Sequence, residues 1–254
     1  MRIATWNVNS IGARLPRLLP WLEEVQPDVV ALQETKCADS TFPFADLKAL
    51  GYEAAHSGDG RWNGVAIASR IGLSDPHHEL LGHPEPRLVS AQCGPLHVHS
   101  LYVPNGRALG DPHYDYKLAW LTALRNAAGG WLAADPAAQV ALVGDWNIAP
   151  QDDDVWDMSV FAHSTHVTGP ERAAFRAVVD AGYADVVRPL APGPGVYTYW
   201  DYTQLRFPRR EGMRIDFVLG TPALAGRVTG ALIDREERKG KGASDHAPVV
   251  VELA

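Results

Sequence analysis

Short runs rich in Val, Ile and Leu, many closed by a polar residue, alternate along this chain with longer segments of helical period. That alternation constrains the fold more than any other feature, because it is the pattern of strands and helices stacked in layers. It predicts strands over 2–8, 28–34, 64–70, 88–93, 96–103, 139–145, 196–200, 214–220, 228–233 and 248–253. Helices are predicted over 14–25, 43–50, 114–133 and 170–181. In the third of these, Tyr116, Leu118, Leu121, Leu124 and Trp131 fall near one face, with Gly129-Gly130 as a candidate break.

At 254 residues and 46% hydrophobic content, the chain is long enough to bury a full core without an external scaffold. Residues 1–254 read as one domain whose two similar halves meet near 134–138. TWNVN in one half and GDWNI in the other are the short matches behind that reading. The start, MRIATWNVNS, enters a strand directly, with no basic leader and no long apolar stretch. A soluble, cytoplasmic protein that does not engage a membrane is therefore expected. Cys37 and Cys93 sit in no CxxC or Cys/His pattern and are read as reduced and structural.

The formal net charge of −7 argues against indiscriminate binding of polyanions. Positive charge is concentrated in RFPRREGMR (206–214) and REERKGKGASDH (235–246), which places it beside Asp216 and beside Asp245 and His246. Phosphate contacts are expected from these two segments.

The polar residues that close apolar runs carry the chemistry. Ligands of sheet proteins gather beyond strand ends, so Asn7, Glu34, Tyr102, Asp145, Asn147, Asp216, Asp245 and His246 are expected to converge. A carboxylate ending a buried strand is costly unless it is paired or bound to a cation, and Glu34 ends DVVALQE. Glu34 with Asn7 suits Mg²⁺, which takes a few carboxylate or amide oxygens and keeps waters for a phosphate substrate. Asp145 and Asn147, at i and i+2, point to one side of an extended segment. One can accept a proton from water while the other donates to a phosphoryl oxygen, a pairing suited to phosphodiester hydrolysis. Asp216 stands in an apolar run without a local partner and is the expected orienting group for His246, leaving the second ring nitrogen for a phosphate.

Other clusters carry less. His97 and His99 share a strand face but are not expected to bind a metal, His163 and His166 are expected to be solvated, and Asp152, Asp153 and Asp154 lack the glycine and distal glutamate of a calcium loop. Most of the eight tryptophans are read as packing.

Taken together, TWNVNS, PDVVALQETK, GVAIASR, YVPNG, GDWNIAP, STHVTGPER, YTYWDY, RIDFVL and SDHAPVVV resemble, in order and along the whole chain, the exonuclease III family of abasic-site DNA endonucleases. That family sits within the wider endonuclease/exonuclease/phosphatase group that includes deoxyribonuclease I. The resemblance implies a deoxyribonuclease I-like four-layer α/β sandwich of two packed mixed β-sheets flanked by helices. It implies a Mg²⁺-dependent phosphodiesterase, with Mn²⁺ as a substitute ion. Asn7 and Glu34 would hold the metal with help from Asp245, and Tyr102 would set its hydroxyl on the scissile phosphate. Asp145 would position or deprotonate the attacking water, Asn147 would bind phosphate, and His246, oriented by Asp216, would stabilise developing charge. Asn105, Arg107 and Lys117 would contact DNA, and Tyr199, Trp200, Met213 and Ile215 would line a pocket for the base-less sugar, defined less sharply by a flexible Met.

The expected activity is incision 5′ to abasic sites to leave a 3′-hydroxyl, with 3′→5′ exonuclease and 3′-end trimming on duplex DNA. The expected partner is double-stranded DNA with abasic sites or blocked 3′ ends, bound by a monomer. A chain that is mainly a 3′→5′ exonuclease is the first alternative. A phosphoinositide or sphingolipid phosphohydrolase, and a silent DNA-binding module, are the others.

Overall fold

The computed structural model describes all residues from Met1 to Ala254. In chain order the strands are β1 (Arg2–Asn7), β2 (Val29–Gln33), β3 (Glu53–Ser57), β4 (Val65–Ser69), β5 (Ser74–His77) and β6 (Leu88–Cys93). They continue as β7 (Leu96–Tyr102), β8 (Gln139–Asp145), β9 (Ala184–Asp185), β10 (Asp216–Gly220), β11 (Val228–Ile233) and β12 (Val249–Leu253). The principal helices are α1 (Ile11–Val25), α2 (Phe44–Ala49), α3 (Pro112–Ala134) and, after a short turn of helix at Met158–Phe161, α4 (Gly169–Asp180).

Two six-stranded sheets result, with strand orders β11-β12-β1-β2-β4-β3 and β5-β6-β7-β8-β10-β9. Each is mixed: β1 runs parallel to β2 and β7 parallel to β8, while the other pairs are antiparallel. The apolar residues between the sheets, among them Ile3, Val29, Val89, Val98, Val143 and Val251, form one core. Outside it, α3 and α4 cover the second sheet through Trp120, Leu124 and Phe175. Against the first sheet, α1 and α2 pack Leu18, Trp21 and Leu47. This is the expected four-layer sandwich.

Local chemistry explains the helix starts. Asp111 accepts from the His113 N–H ahead of Pro112, and Thr168 with Glu171 forms a reciprocal capping box. Gly129-Gly130 does not break α3, because Leu124, Ala128 and Trp131 hold the last turns against the sheet, outweighing a cost of roughly 1 kcal/mol per glycine.

The strand predictions depart from the structure at one buried segment that pairs into no ladder and at the sheet edges. Segment 196–200 forms only isolated bridges, Tyr199 with Met213 and with His246. β3, β5 and β9 were not signalled by apolar runs: β5 is exposed throughout and contains Pro76, and β9 has two residues. All three lie at sheet edges, where apolar alternation is weakest.

Candidate active site

Parallel strands in register bring their ends to one level. β1 aligns Asn7 with Gln33, just before Glu34, and β7 aligns Tyr102 with Asp145, which β8 aligns in turn with Asp216. Gly144 lets β7 and β8 meet there: at φ +141°, a Cβ on it would lie 2.1 Å from the Leu101 carbonyl oxygen. The C-terminal strand brings the last partner, and His246 Nδ1 lies 2.8 Å from Asp216 Oδ2 and its Nε2 3.7 Å from Asp145 Oδ2. Residues separated by most of the chain thus meet at one end of the two sheets.

Glu34, Asp145 and His246 are the one group of three acidic, thiol or imidazole side chains whose ligand atoms all lie within 4.8 Å of one another. Asn7 sits among them, its Nδ2 donating to Glu34 Oε1 at 2.8 Å and to Asp145 Oδ2 at 2.9 Å, while its Oδ1 accepts from the Asn9 N–H. Asn7 therefore bridges the carboxylates with its amide nitrogen, where a ligand oxygen was expected. Asp245 stands apart from the trio and accepts from Asn9 Nδ2 at 3.0 Å.

The electrostatics follow from crowding. Burial pushes the Asp145 carboxyl up to about 7; the His246 imidazole opposes this, and Asp216 and Glu34 add repulsion. Burial works against the His246 charge, but Asp216 and Asp145 overcome it and raise the ring to about 10, so it is an imidazolium at neutral pH. Burial also disfavours the Glu34 charge, yet Lys36, at 2.8 Å, and Asn7 hold that carboxyl below its ordinary range. The Tyr102 hydroxyl is raised well above its ordinary value by burial and then by Glu34 and Asp145. Two carboxylates that repel each other, Asp145 buried and Glu34 half-buried, beside amide and hydroxyl groups, form an arrangement that a hard cation would relieve.

Thr198 is a participant that the sequence reading missed. Its hydroxyl donates to Asp216 Oδ2 at 2.6 Å and accepts from the Ile215 and Asp216 N–H groups at 3.1 Å, so it fixes the carboxylate that faces His246. Lys36, Asn9 and His166 were also missed. His166, expected to be solvated, places Nε2 3.1 Å from Asn147 Oδ1, and burial followed by the Lys117 charge drives its ring down to about 3. Its place in a loop of low apolar content hid this.

Asn105 bonds to Asn147 through Nδ2 at 3.2 Å, and Arg107 is exposed on the loop beside it. Lys117 does not reach a surface where DNA could lie: it is wholly buried and paired with Glu171 at 2.5 Å. Tyr199 stands against His246, ring centroids 4.9 Å apart, and with Trp156, Phe161 and Met213 lines a cavity of about 170 Å³. Trp200 and Ile215 do not line that cavity; Trp200 is packed between Tyr197 and Phe207, and Ile215 joins the small core around Val155. The basic segments are also partly spent inside the molecule. Arg206 and Arg209 pair with Glu211, Arg214 with Asp154 and Asp185, and Arg238 donates to the Trp200 carbonyl.

Residues 4–246 match the family described as the endonuclease/exonuclease/phosphatase family. The chain belongs to that family. Its relatives place it among the exonuclease III-type nucleases. The DNA repair nuclease APEX1 of Danio rerio is 30% identical over 100% of this chain and 82% of its own length. The structure of an AP endonuclease from Archaeoglobus fulgidus superposes with a TM-score of 0.96, at 35% identity, covering 100% of this chain and 99% of that one. So does that of the Neisseria 3′ phosphatase NExo bound to a product DNA hairpin, with a TM-score of 0.96, 36% identity, and the same coverage. No helix of this family member is long and apolar enough to cross a membrane.

Proposed function

We propose that this nuclease is a Mg²⁺-dependent phosphodiesterase of damaged duplex DNA, cutting 5′ to abasic sites to leave a 3′-hydroxyl and clearing blocked 3′ ends. The observation that carries it is the meeting of Glu34, Asp145, Asn147 and His246 beside the Tyr199–Met213 cavity. Glu34 and Asn7, its amide turned, would hold the cation with Asp145 close by; when bound, it supplies positive charge at the phosphoryl oxygens. Asp145, its carboxyl pushed up to about 7 by burial, takes the proton of the attacking water. The His246 imidazolium, held by Asp216, and the Asn147 amide donate to phosphoryl oxygens as charge grows on them. Tyr102, kept protonated, adds a hydroxyl donor.

A second reading, in which 3′-end trimming dominates, is favoured by His166. Its ring lies 3.1 Å from Asn147 Oδ1 and 3.3 Å from Asn105 Nδ2, beside the amide read as phosphate-binding, where it would crowd a continuous strand more than a chain end. The NExo relative, named as a 3′ phosphatase, agrees with this. The deciding experiment uses labelled duplexes carrying one internal abasic-site analogue, a 3′-phosphate or no damage, each with Mg²⁺ and with EDTA. Metal-dependent incision at the internal lesion is the expected result. Release of phosphate and mononucleotides from 3′ ends with an untouched internal lesion would establish the second reading, and equal cutting in EDTA would overturn both.

A further inference from the structure

Behind Asn147 lies an ion pair that the reaction described above leaves without a role. Lys117 on α3 and Glu171 on α4 are both fully buried. Lys117 Nζ donates to Glu171 Oε1 at 2.5 Å, to the Asn147 carbonyl at 2.6 Å and to the Asn105 carbonyl at 3.2 Å. Glu171 Oε1 also accepts from the His166 N–H at 2.9 Å, and its Oε2 accepts from the Thr168 N–H and hydroxyl. One pair thereby ties two helices to the loop after β7, the loop after β8 and the loop around 166.

Those three loops hold Asn147 and every hydrogen-bond partner of its side chain. Its Oδ1 accepts from Asn105 Nδ2 at 3.2 Å and from His166 Nε2 at 3.1 Å, and its Nδ2 donates to the Val103 carbonyl at 2.9 Å. Asn147 Oδ1 can only accept, so the neutral ring that meets it carries its proton on Nε2, and the Thr165 hydroxyl, 3.0 Å from Nδ1, donates to the other nitrogen. An amide has two N–H hydrogens and two lone pairs; here only one N–H lacks a partner. That hydrogen is the one available to a phosphoryl oxygen.

We propose that Lys117 and Glu171 are positioning residues for the reaction, acting through Asn147: the buried pair fixes the backbone on which Asn105, Asn147 and His166 stand and so sets the direction of that single N–H. A buried pair is commonly replaceable by apolar residues of similar volume without loss of stability, so holding α3 to α4 does not by itself explain it. Placing three loops through carbonyl and N–H groups does, because the three ammonium donors and two carboxylate oxygens together satisfy that many polar groups. The proposal rests on the reading of Asn147 as a phosphate-binding group.

A double-mutant cycle tests it. Turnover and KM are measured on the cleavable labelled duplex with Mg²⁺ for Lys117→Met, Asn147→Ala and the double variant, with thermal unfolding followed in parallel. In the otherwise native protein, Lys117→Met is expected to lower kcat about 10-fold or more with KM changed less than about twofold, since small misplacements at a reacting centre are costly. In the Asn147→Ala background, the same change is expected to cost less than about twofold. Equal losses in both backgrounds, or no loss in either, would overturn the positioning role while leaving the functional reading intact. Native turnover in Asn147→Ala would sink the reading of Asn147, and the proposal with it. Should Lys117→Met fail to fold, Glu171→Gln, which keeps the shape and neutralises the carboxylate, enters the same cycle with the same outcomes.

Discussion

At the scale of single residues, the site works through groups whose ordinary chemistry is altered by burial. Asp145→Asn removes the proton acceptor and Glu34→Ala the carboxylate beside it; each is expected to lower turnover by about 10²-fold or more, measured by steady-state cleavage at saturating Mg²⁺. Wild-type rates in either variant would refute the role given to that side chain. The pH profile carries a sharper expectation. Asp145 must be ionised to accept a proton, and its carboxyl is raised to about 7, so the rate climbs as pH rises through that region. A cation beside Asp145 favours the ionised form, so the climb should move to lower pH as Mg²⁺ is increased. His246 must be protonated and is raised to about 10, so the rate falls as pH rises through that value, and in Asp216→Asn the fall should come at lower pH. A rising limb indifferent to Mg²⁺, or a falling limb unmoved in Asp216→Asn, would remove the corresponding assignment.

At the scale of elements, the strand ends could be read from the chain while their bracing could not. Asn7, Glu34, Tyr102 and Asp145 all close apolar runs that do become strands, because a strand buried on both faces leaves a plain apolar signature. Thr198 lies in YTYWDY, which forms no ladder, and nothing local marks a threonine whose partner carboxylate is 18 residues away. Lys117 and His166 were misread for the same reason, since their partners lie on other elements. Gly144 gives the most direct test at this scale. Gly144→Ala would drive a methyl into the Leu101 carbonyl at a φ that disfavours side chains, and it should destabilise the protein by more than about 2 kcal/mol. Urea unfolding measures this; a variant of native stability would show that β7 and β8 have slack where they meet.

At the scale of the whole molecule, the charge balance sets how DNA is held. The net charge is −7, and Arg188, Arg206, Arg209, Arg214 and Arg238 are engaged by carboxylates or carbonyls of the protein itself. With these arginines taken up inside the protein, fewer cations beside the site are free to meet phosphates, so duplex affinity should fall with salt on a shallow line. Fewer than about five phosphates neutralised corresponds to a log–log slope no steeper than about −4.5. Fluorescence anisotropy with Asp145→Asn at several salt concentrations checks this. A steeper slope would mean that the paired arginines exchange their partners for DNA.

The layer architecture, the strand ends and the identity of the polar groups that meet there are legible along the chain, because burial imposes a periodicity that survives in one dimension. Which atoms face one another is set by the folding of the two sheets together. Asn7 turns its nitrogen between two carboxylates, Asp145 and His246 join Glu34 in one cluster, and Lys117 is buried with its ammonium on the Asn147 carbonyl. The reason is physical. Hydrogen bonds and charge pairs act over a few ångströms between residues remote in sequence, so their pattern exists only once the two sheets have packed.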